Sequence, residues 1–297
     1  MCRVVDLQQA VLAKNDDAAR ELRALLAARG TTVVNLLSSP GSGKTALLER
    51  ELLLARERGV ATAALTADLA TENDAVRLAR SGVPVKQVLT DGLCHLEAGM
   101  LGRHLEGWPP EGTRLLFVEN VGNLVCPASY DLGEDLRVVL ASVTEGEDKP
   151  LKYPTAFGLA QLVVVTKTDI AAAVGFDEEA FRAHVEQVNP GVEIVLTSAR
   201  GGEGVGALLD RALAAAAGAA PHIPVMAAHH RHTGHDHGDH VHVHGAGDHD
   251  HAHTHGDDAH HHGTGDHDHE HPHGHDHPRT LIATPGPGHG GAAPHRP

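Results

Sequence analysis

Cysteine, long apolar runs and basic charge are all scarce in this 297-residue chain, and each shortage removes a class of protein. No stretch of 18 apolar residues exists, so no segment is expected to span a bilayer. The opening MCRVVDLQQAVLAKNDD has no apolar signal core, which predicts a cytoplasmic protein. Cys2, Cys94 and Cys126 are too few, and too odd in number, for a disulfide framework. They are expected to be thiols that are buried, reactive or metal-bound. Lys and Arg number 24 against 39 Asp and Glu, a balance that argues against nonspecific nucleic-acid binding.

Histidine is abundant and unevenly placed. Of 27 histidines, 21 lie between His229 and His277. What precedes them, about 220 residues, is a suitable size for one domain with a full core. The expected organisation is an N-terminal helix over 1–30, a globular α/β domain over 31–220, and a His-rich tail over 221–297. The tail carries almost no apolar side chains over 229–277, so it cannot offset its own ordering entropy and is predicted disordered without metal. Pro278 to Pro297 is Pro/Gly/Ala-rich and linker-like.

Within the domain, short β-branched runs alternate with amphipathic helices. Leu7, Val11, Ala18, Leu22 and Leu25 mark the apolar face of a helix over Asp6–Arg29, stopped by Gly30. Strands are predicted at Thr31–Leu37, Val60–Ala67, Val83–Leu89, Arg114–Glu119, Leu136–Val143, Gln161–Lys167 and Val192–Leu196. Helices are predicted at Gly43–Arg58, Thr71–Ser81, Leu96–Leu105, Asp177–Val188 and Gly204–Ala217. This rhythm specifies a mostly parallel sheet covered by helices on both faces.

Between the first strand and its helix stands Ser38-Ser39-Pro40-Gly41-Ser42-Gly43-Lys44-Thr45, a P-loop in which Ser38 replaces the first Gly. Its glycines turn backbone N–H groups inward around phosphates, and the helix N-terminus adds partial positive charge. Pro40, Gly41, Ser42 and Gly43 form the cradle; Lys44 reaches the β/γ-phosphates and Thr45 ligates Mg²⁺. Glu119 ends an apolar strand with a carboxylate suited to Mg²⁺ through water, and Asp68 is a second carboxylate candidate. Gly122 offers a backbone N–H toward the γ-phosphate. Thr166-Lys167-Thr168-Asp169 resembles the guanine motif Asn-Lys-x-Asp. Asp169 accepts from guanine's donors and Lys167 covers the base, while Thr166 in place of Asn weakens the bracing of the loop. Thr197-Ser198-Ala199 resembles the loop over guanine O6, so GTP is the expected nucleotide.

Cys94 and His95 are adjacent, and Cys126 follows the Glu119 strand. Adjacent residues face one point only from a loop, and Gly92 supplies that freedom. Two readings stay open: buried small hydrophobes with a surface histidine, or a metal site. Three ligands per chain are incomplete, and a two-fold homodimer doubles them. Zn²⁺ takes a tetrahedron and Ni²⁺ a square plane of such donors. A nearly extended link from Gly122 to Cys126, with Pro127 holding Cys126 out of helix, would pass a loop movement to the thiolate.

The tail repeats His-x-His: His235 and His237; His240, His242 and His244; His249, His251, His253 and His255; His267, His269 and His271. Imidazole suits Ni, Cu and Zn, and the longest histidine run is only three, unlike an affinity tag. A reservoir for several exchanging ions is predicted.

The P-loop, Ala67–Asp74, Cys94-His95-Leu96-Glu97, the long string Glu119–Ser129 and Glu145-Gly146-Glu147-Asp148-Lys149 together resemble the hydrogenase nickel-incorporation GTPases of the HypB family, over about Val5 to Ala217. The resemblance implies a GTPase metallochaperone that helps insert Ni²⁺ into the large subunit of [NiFe]-hydrogenase. It also implies GTP-dependent dimerisation around Cys94, His95 and Cys126, and a small zinc- and nickel-binding accessory protein as partner. Some members have an N-terminal Cys-x-x-Cys-Gly-Cys nickel site; here only Cys2 stands near the start, and the tail would take over storage. The sister urease nickel GTPases should show Cys-Pro-His, whereas Ala128 follows Cys126-Pro127. A nickel storage protein whose GTPase part merely dimerises is the alternative of another class.

Overall fold

The computed structural model describes residues 2–68, 73–90 and 92–227 of the chain. Seven strands form one sheet: β1 (Thr32–Ser38), β2 (Thr62–Asp68), β3 (Val85–Leu89), β4 (Leu115–Glu119), β5 (Leu136–Ser142), β6 (Leu162–Thr166) and β7 (Ile194–Leu196). They run in the order β3-β2-β4-β1-β5-β6-β7, and every neighbouring pair is parallel. The helices are α1 (Cys2–Ala28), α2 (Lys44–Glu57), α3 (Asn73–Ala79), α4 (Ala98–His104), α5 (Lys149–Lys152), α6 (Pro154–Gly158), α7 (Ala171–Val174), α8 (Glu178–Val188) and α9 (Ala207–Ala216). Each strand and helix expected from periodicity is present. The short helices α5 to α7 have too few residues to show a helical period.

Alternation along β1 divides the core. Val34 and Leu36 join Leu47, Leu48 and Leu52 of α2 and Leu208 and Leu209 of α9 on one face. Val33 meets Leu22, Leu26 and Leu101 of α1 and α4 on the other, and Leu37 meets Phe157, Phe181 and Val185. Each such side chain, taken fully out of water, contributes roughly 1.5–3 kcal/mol.

Two expectations are corrected. The buried stripe of α1 is Asn15, Ala19, Leu22 and Leu26; Val11 and Leu25 are exposed. The cause is Asn15, whose amide donates to Asp131 O at 2.8 Å and accepts from Ala98 N at 2.9 Å, turning the helix to bury a polar residue that is fully paired. The body also runs past residue 220: His222 Nε2 is 2.8 Å from Asn189 Oδ1, and Met226 fills the notch over Gly158, where a Cβ would lie 2.1 Å from its sulfur. Among the described residues no helix is long and apolar enough to cross a membrane.

β1 is the switch point of the sheet, with later strands laid down on either side of it. In parallel sheets the ligand crevice opens at the carboxyl ends of the strands at such a point. The carboxyl ends of β1, β2, β3, β4 and β6, with the segments that follow them, carry every candidate residue of the body up to Asp169; Ser198 and Ala199 follow β7.

Candidate nucleotide cleft and thiol–imidazole cluster

β1 ends at Ser38, and α2 begins at Lys44 behind Gly43, whose φ of 91° is the left-handed conformation the loop requires. The cleft above them measures about 430 Å³ and is lined by the P-loop, Asp68, Asp74, Arg77 and Gly122. Gly122 needs to be glycine for closeness: a Cβ there would stand 3.2 Å from Pro40 Cα. Lys44 Nζ donates to Asn120 O at 2.8 Å and lies 3.3 Å from Glu119 Oε1, which accepts the Thr45 hydroxyl at 2.6 Å. Burial pushes the Glu119 carboxyl up, and Lys44 and Thr45 pull it back only in part. Its Oε2 is buried without a hydrogen-bond partner. An orphaned carboxylate oxygen beside a threonine hydroxyl is a donor set that fits a hard divalent cation.

A second cavity of about 260 Å³ lies on the far side of Gly43, lined by Thr166, Lys167, Asp169, Ala199 and Arg200 among others. Lys167 has a φ of 61°, a strained conformation for a side chain, and its Nζ donates to Gly41 O at 2.7 Å. Thr166 does brace the loop, contrary to expectation: its hydroxyl donates to Ser42 O at 2.5 Å. Ser198 is buried and does not line the cavity; its hydroxyl donates to Asp169 Oδ1 at 2.7 Å and so orients that carboxylate.

Gly92, with a φ of 88°, opens the loop that carries Cys94 and His95. Their donor atoms and that of Cys126 all lie within 4.8 Å of one another, with Cys94 Sγ 3.6 Å from His95 Nδ1. The neighbouring Cys126 thiol, and then burial, push the Cys94 thiol up; burial pushes His95 down against the pull of Glu97. The imidazole thus keeps its lone pair at neutral pH, and a soft cation would enter by displacing thiol protons. His95 Nε2 is buried without a hydrogen-bond partner, 3.8 Å from Glu97 Oε1, and the Tyr130 ring lies over the imidazole at 4.0 Å.

The link to Cys126 is bent, not extended. Asn123 N donates to Val121 O at 2.7 Å and Val125 N to Asn123 Oδ1 at 2.9 Å, while the Asn123 amide reaches Cys94 O at 3.4 Å. Cys126 is itself helical (φ −62°, ψ −52°), because it opens the 3-10 turn Pro127–Ser129. The bias that Pro127 imposes on it is outweighed by bonds from Arg137 to Ala128 O and Tyr130 O at 2.9 and 3.0 Å.

Residues 32–196, from the first residue of β1 to the last of β7, match the family model "CobW/HypB/UreG, nucleotide-binding domain". Over 205 residues the chain is 49% identical to hydrogenase maturation factor HypB of Azotobacter chroococcum mcd 1, covering 69% of this chain and 67% of that one. The chain belongs to the HypB family of hydrogenase maturation factors. It is 47% identical over 203 residues to HypB of Escherichia coli strain K12, covering 68% and 70% of the two chains. The crystal structure of Helicobacter pylori HypB in complex with nickel superposes with a TM-score of 0.65 at 36% identity, covering 69% of this chain and 96% of that one.

In this HypB-family chain the structure therefore gathers Pro40 to Thr45, Asp68 and Gly122 at one cleft, with Glu119 buried beneath it, Lys167, Asp169 and Ala199 at its neighbour, and Cys94, His95 and Cys126 at a third point. The tail histidines His235 to His271 lie outside the described residues. Sequence reading missed Asn120, which receives Lys44, and Lys149, whose Nζ donates to Ser39 Oγ at 2.6 Å and Glu145 Oε1 at 2.8 Å. The only signal for Lys149 was its place in the Glu145–Lys149 string.

Proposed function

We propose that this HypB-family chain is a GTP-hydrolysing nickel metallochaperone of the cytoplasm that assists insertion of Ni²⁺ into the large subunit of [NiFe]-hydrogenase. The observation that carries the reading is the convergence of Cys94, His95 and Cys126 at one end of the segment whose other end, Asn120 to Gly122, borders the phosphate loop. The nickel named for the Helicobacter pylori relative is in keeping with that donor set.

In this reading the P-loop amides and Lys44 hold the triphosphate, and Asp169, oriented by Ser198, accepts from guanine while Lys167 covers the base. Thr45, with the Glu119 and Asp68 carboxylates, would hold Mg²⁺, which when bound would supply charge neutralisation on the phosphates. Water attacks the γ-phosphorus, the bond to the β-phosphate oxygen breaks, and GDP and phosphate leave. The Gly122 N–H faces the γ-phosphate, so its loss relaxes the loop toward Cys126. Two chains related by a two-fold axis offer six donors, from which Ni²⁺ or Zn²⁺ would take four. The His-rich tail stores further ions, and a nickel-binding accessory protein supplies or receives the cargo.

The test is phosphate release from GTP and from ATP, together with nickel bound per chain and dimer mass, in the wild type and in Cys94→Ala/Cys126→Ala lacking residues 228–297. Hydrolysis selective for GTP, with the non-tail nickel lost in the double variant, is expected. Equal use of ATP, or nickel retention without the two thiols, would refute it.

A further inference from the structure

One polar residue interrupts the otherwise apolar strand that feeds the phosphate loop. Asn35, in β1 between Val34 and Leu36, is 0% exposed and stands opposite Val118 of β4 on one side and Arg137 of β5 on the other. Its amide joins two groups of hydrogen bonds. On one side Asn120 Nδ2 donates to Asn35 Oδ1 at 3.4 Å, and Asn120 O receives Lys44 Nζ at 2.8 Å. On the other, Asn35 Nδ2 donates to Glu134 Oε1 at 3.4 Å; that oxygen also receives Arg137 Nε at 2.6 Å, and Glu134 Oε2 receives Leu132 N at 2.7 Å. The Arg137 fork then ends on Ala128 O and Tyr130 O.

This buried chain grips both ends of the segment that carries Cys126. Asn120 is its start and Tyr130 its end, and the Tyr130 ring lies against His95. All the links away from Asn35 are between 2.6 and 3.0 Å, whereas both links at Asn35 are 3.4 Å. Well-formed N–H···O bonds cluster near 2.9 Å, so the slack of the chain is concentrated in one residue. It cannot simply fall apart, because a buried amide left without partners costs about 1–3 kcal/mol. Movement of the chain therefore favours exchange of hydrogen-bond partners over loss of them. A phosphate that draws donors from Lys44 Nζ changes the hold on Asn120 O, and Asn120 is bonded to Asn35.

We propose that Asn35, Glu134 and Arg137 are positioning residues through which occupancy of the phosphate loop sets the placement of Cys126 and of the Tyr130 ring over His95. The inference rests on the cleft being a nucleotide site and the cluster a metal site. It adds to them a route across the central strand β1, separate from the direct path through Gly122 and Asn123.

The experiment uses the full-length protein in GDP and in a non-hydrolysable GTP analogue. Two readouts are taken: the alkylation rate of Cys126 in metal-free protein by peptide-resolved mass spectrometry, and nickel affinity of the cluster by chelator competition. In the wild type both should differ between nucleotide states by about tenfold, equivalent to ~1.4 kcal/mol. Asn35→Leu, of similar volume, should bring both ratios to within about twofold of one while nucleotide affinity stays near wild type and the melting temperature falls by a few degrees, because the Asn120 amide loses its partner. Arg137→Lys keeps a charge beside Glu134 but loses the fork, and should collapse the ratios in the same way; it carries the test if Asn35→Leu does not fold. A wild-type ratio preserved in a folded variant overturns the proposal. A wild-type ratio of one, with nucleotide and nickel both bound, overturns it and leaves the proposed function standing. Failure to bind either ligand overturns both.

Discussion

The phosphate loop and the thiol–imidazole cluster stand at the same edge of the sheet, after β1 and after β3 and β4, yet they are assembled from different parts. The loop presents main-chain groups, fixed by glycine conformation and by strands whose side chains, Thr32 apart, are buried. The cluster presents side chains on two loops, fixed by other side chains: Asn123 across to Cys94 O, Tyr130 over His95, Arg137 under the Cys126 turn. A main-chain site tolerates substitution around it but needs its contiguous motif. A side-chain site needs few residues in sequence but depends on partners distributed through the fold, and so it can respond to events elsewhere.

Substitutions that strike one region and spare the other break or sharpen that contrast. The largest effect is expected of Lys44→Ala, which should cut phosphate release by about 10²–10³ while the cluster's metal count per chain is unchanged. Cys126→Ala is its mirror image: chelator competition should show cluster affinity falling about 100-fold with GDP binding intact. If either variant damages both sites, the two are not separable. Asp169→Asn should exchange GTP for xanthosine triphosphate by about 10–100-fold, read from competition binding, since the new amide offers donors where guanine needs acceptors.

Acid should reach the side-chain frame in a predictable way. Burial alone would raise the Glu134 carboxyl, but Arg137 and backbone N–H groups outweigh it and hold it at about 2. A depressed carboxyl stabilises the fold fully above its unfolded value of 4.5, and that stability is lost as pH falls through about 2. Denaturant melts between those limits should therefore weaken in the wild type. Glu134→Gln should flatten the slope over that window. The smallest effect separates body from tail. Ending the chain at Ala220 should cost about 1–3 kcal/mol relative to ending it at Ala227, from the His222 bond and the Met226 packing.

The contrast also explains what was legible beforehand. The phosphate loop is contiguous over Ser38–Thr45, and the sheet declares itself in runs such as Leu162–Thr166, so both could be read from residue order. Cys94, His95 and Cys126 stood out because thiols are rare here, although nothing local said they would meet. Thr166 was read as a weak brace because loop-to-loop distance is not written in a motif. Asn35, Glu134 and Arg137 were passed over because their bonds join residues distant in the chain and have no spacing rule. The available signal was a polar residue inside an apolar strand, at Asn35, and inside a buried helix stripe, at Asn15. Polar residues that survive in such places are there because their partners wait elsewhere.

The order of the strands has a consequence for synthesis. β1 is made early, but it pairs with residues 115–119 and 136–140, not with the strand that follows it. Lys44 meets its partner at Asn120 and Ser39 at Lys149. A chain still emerging from the ribosome therefore carries the phosphate motif without all the strands that shape it until β5 has been made, and long-range pairing of this kind is slow to form. The phosphate cleft is thus complete only in a chain that has closed its sheet through β5, and by then both thiols of the cluster have already been made.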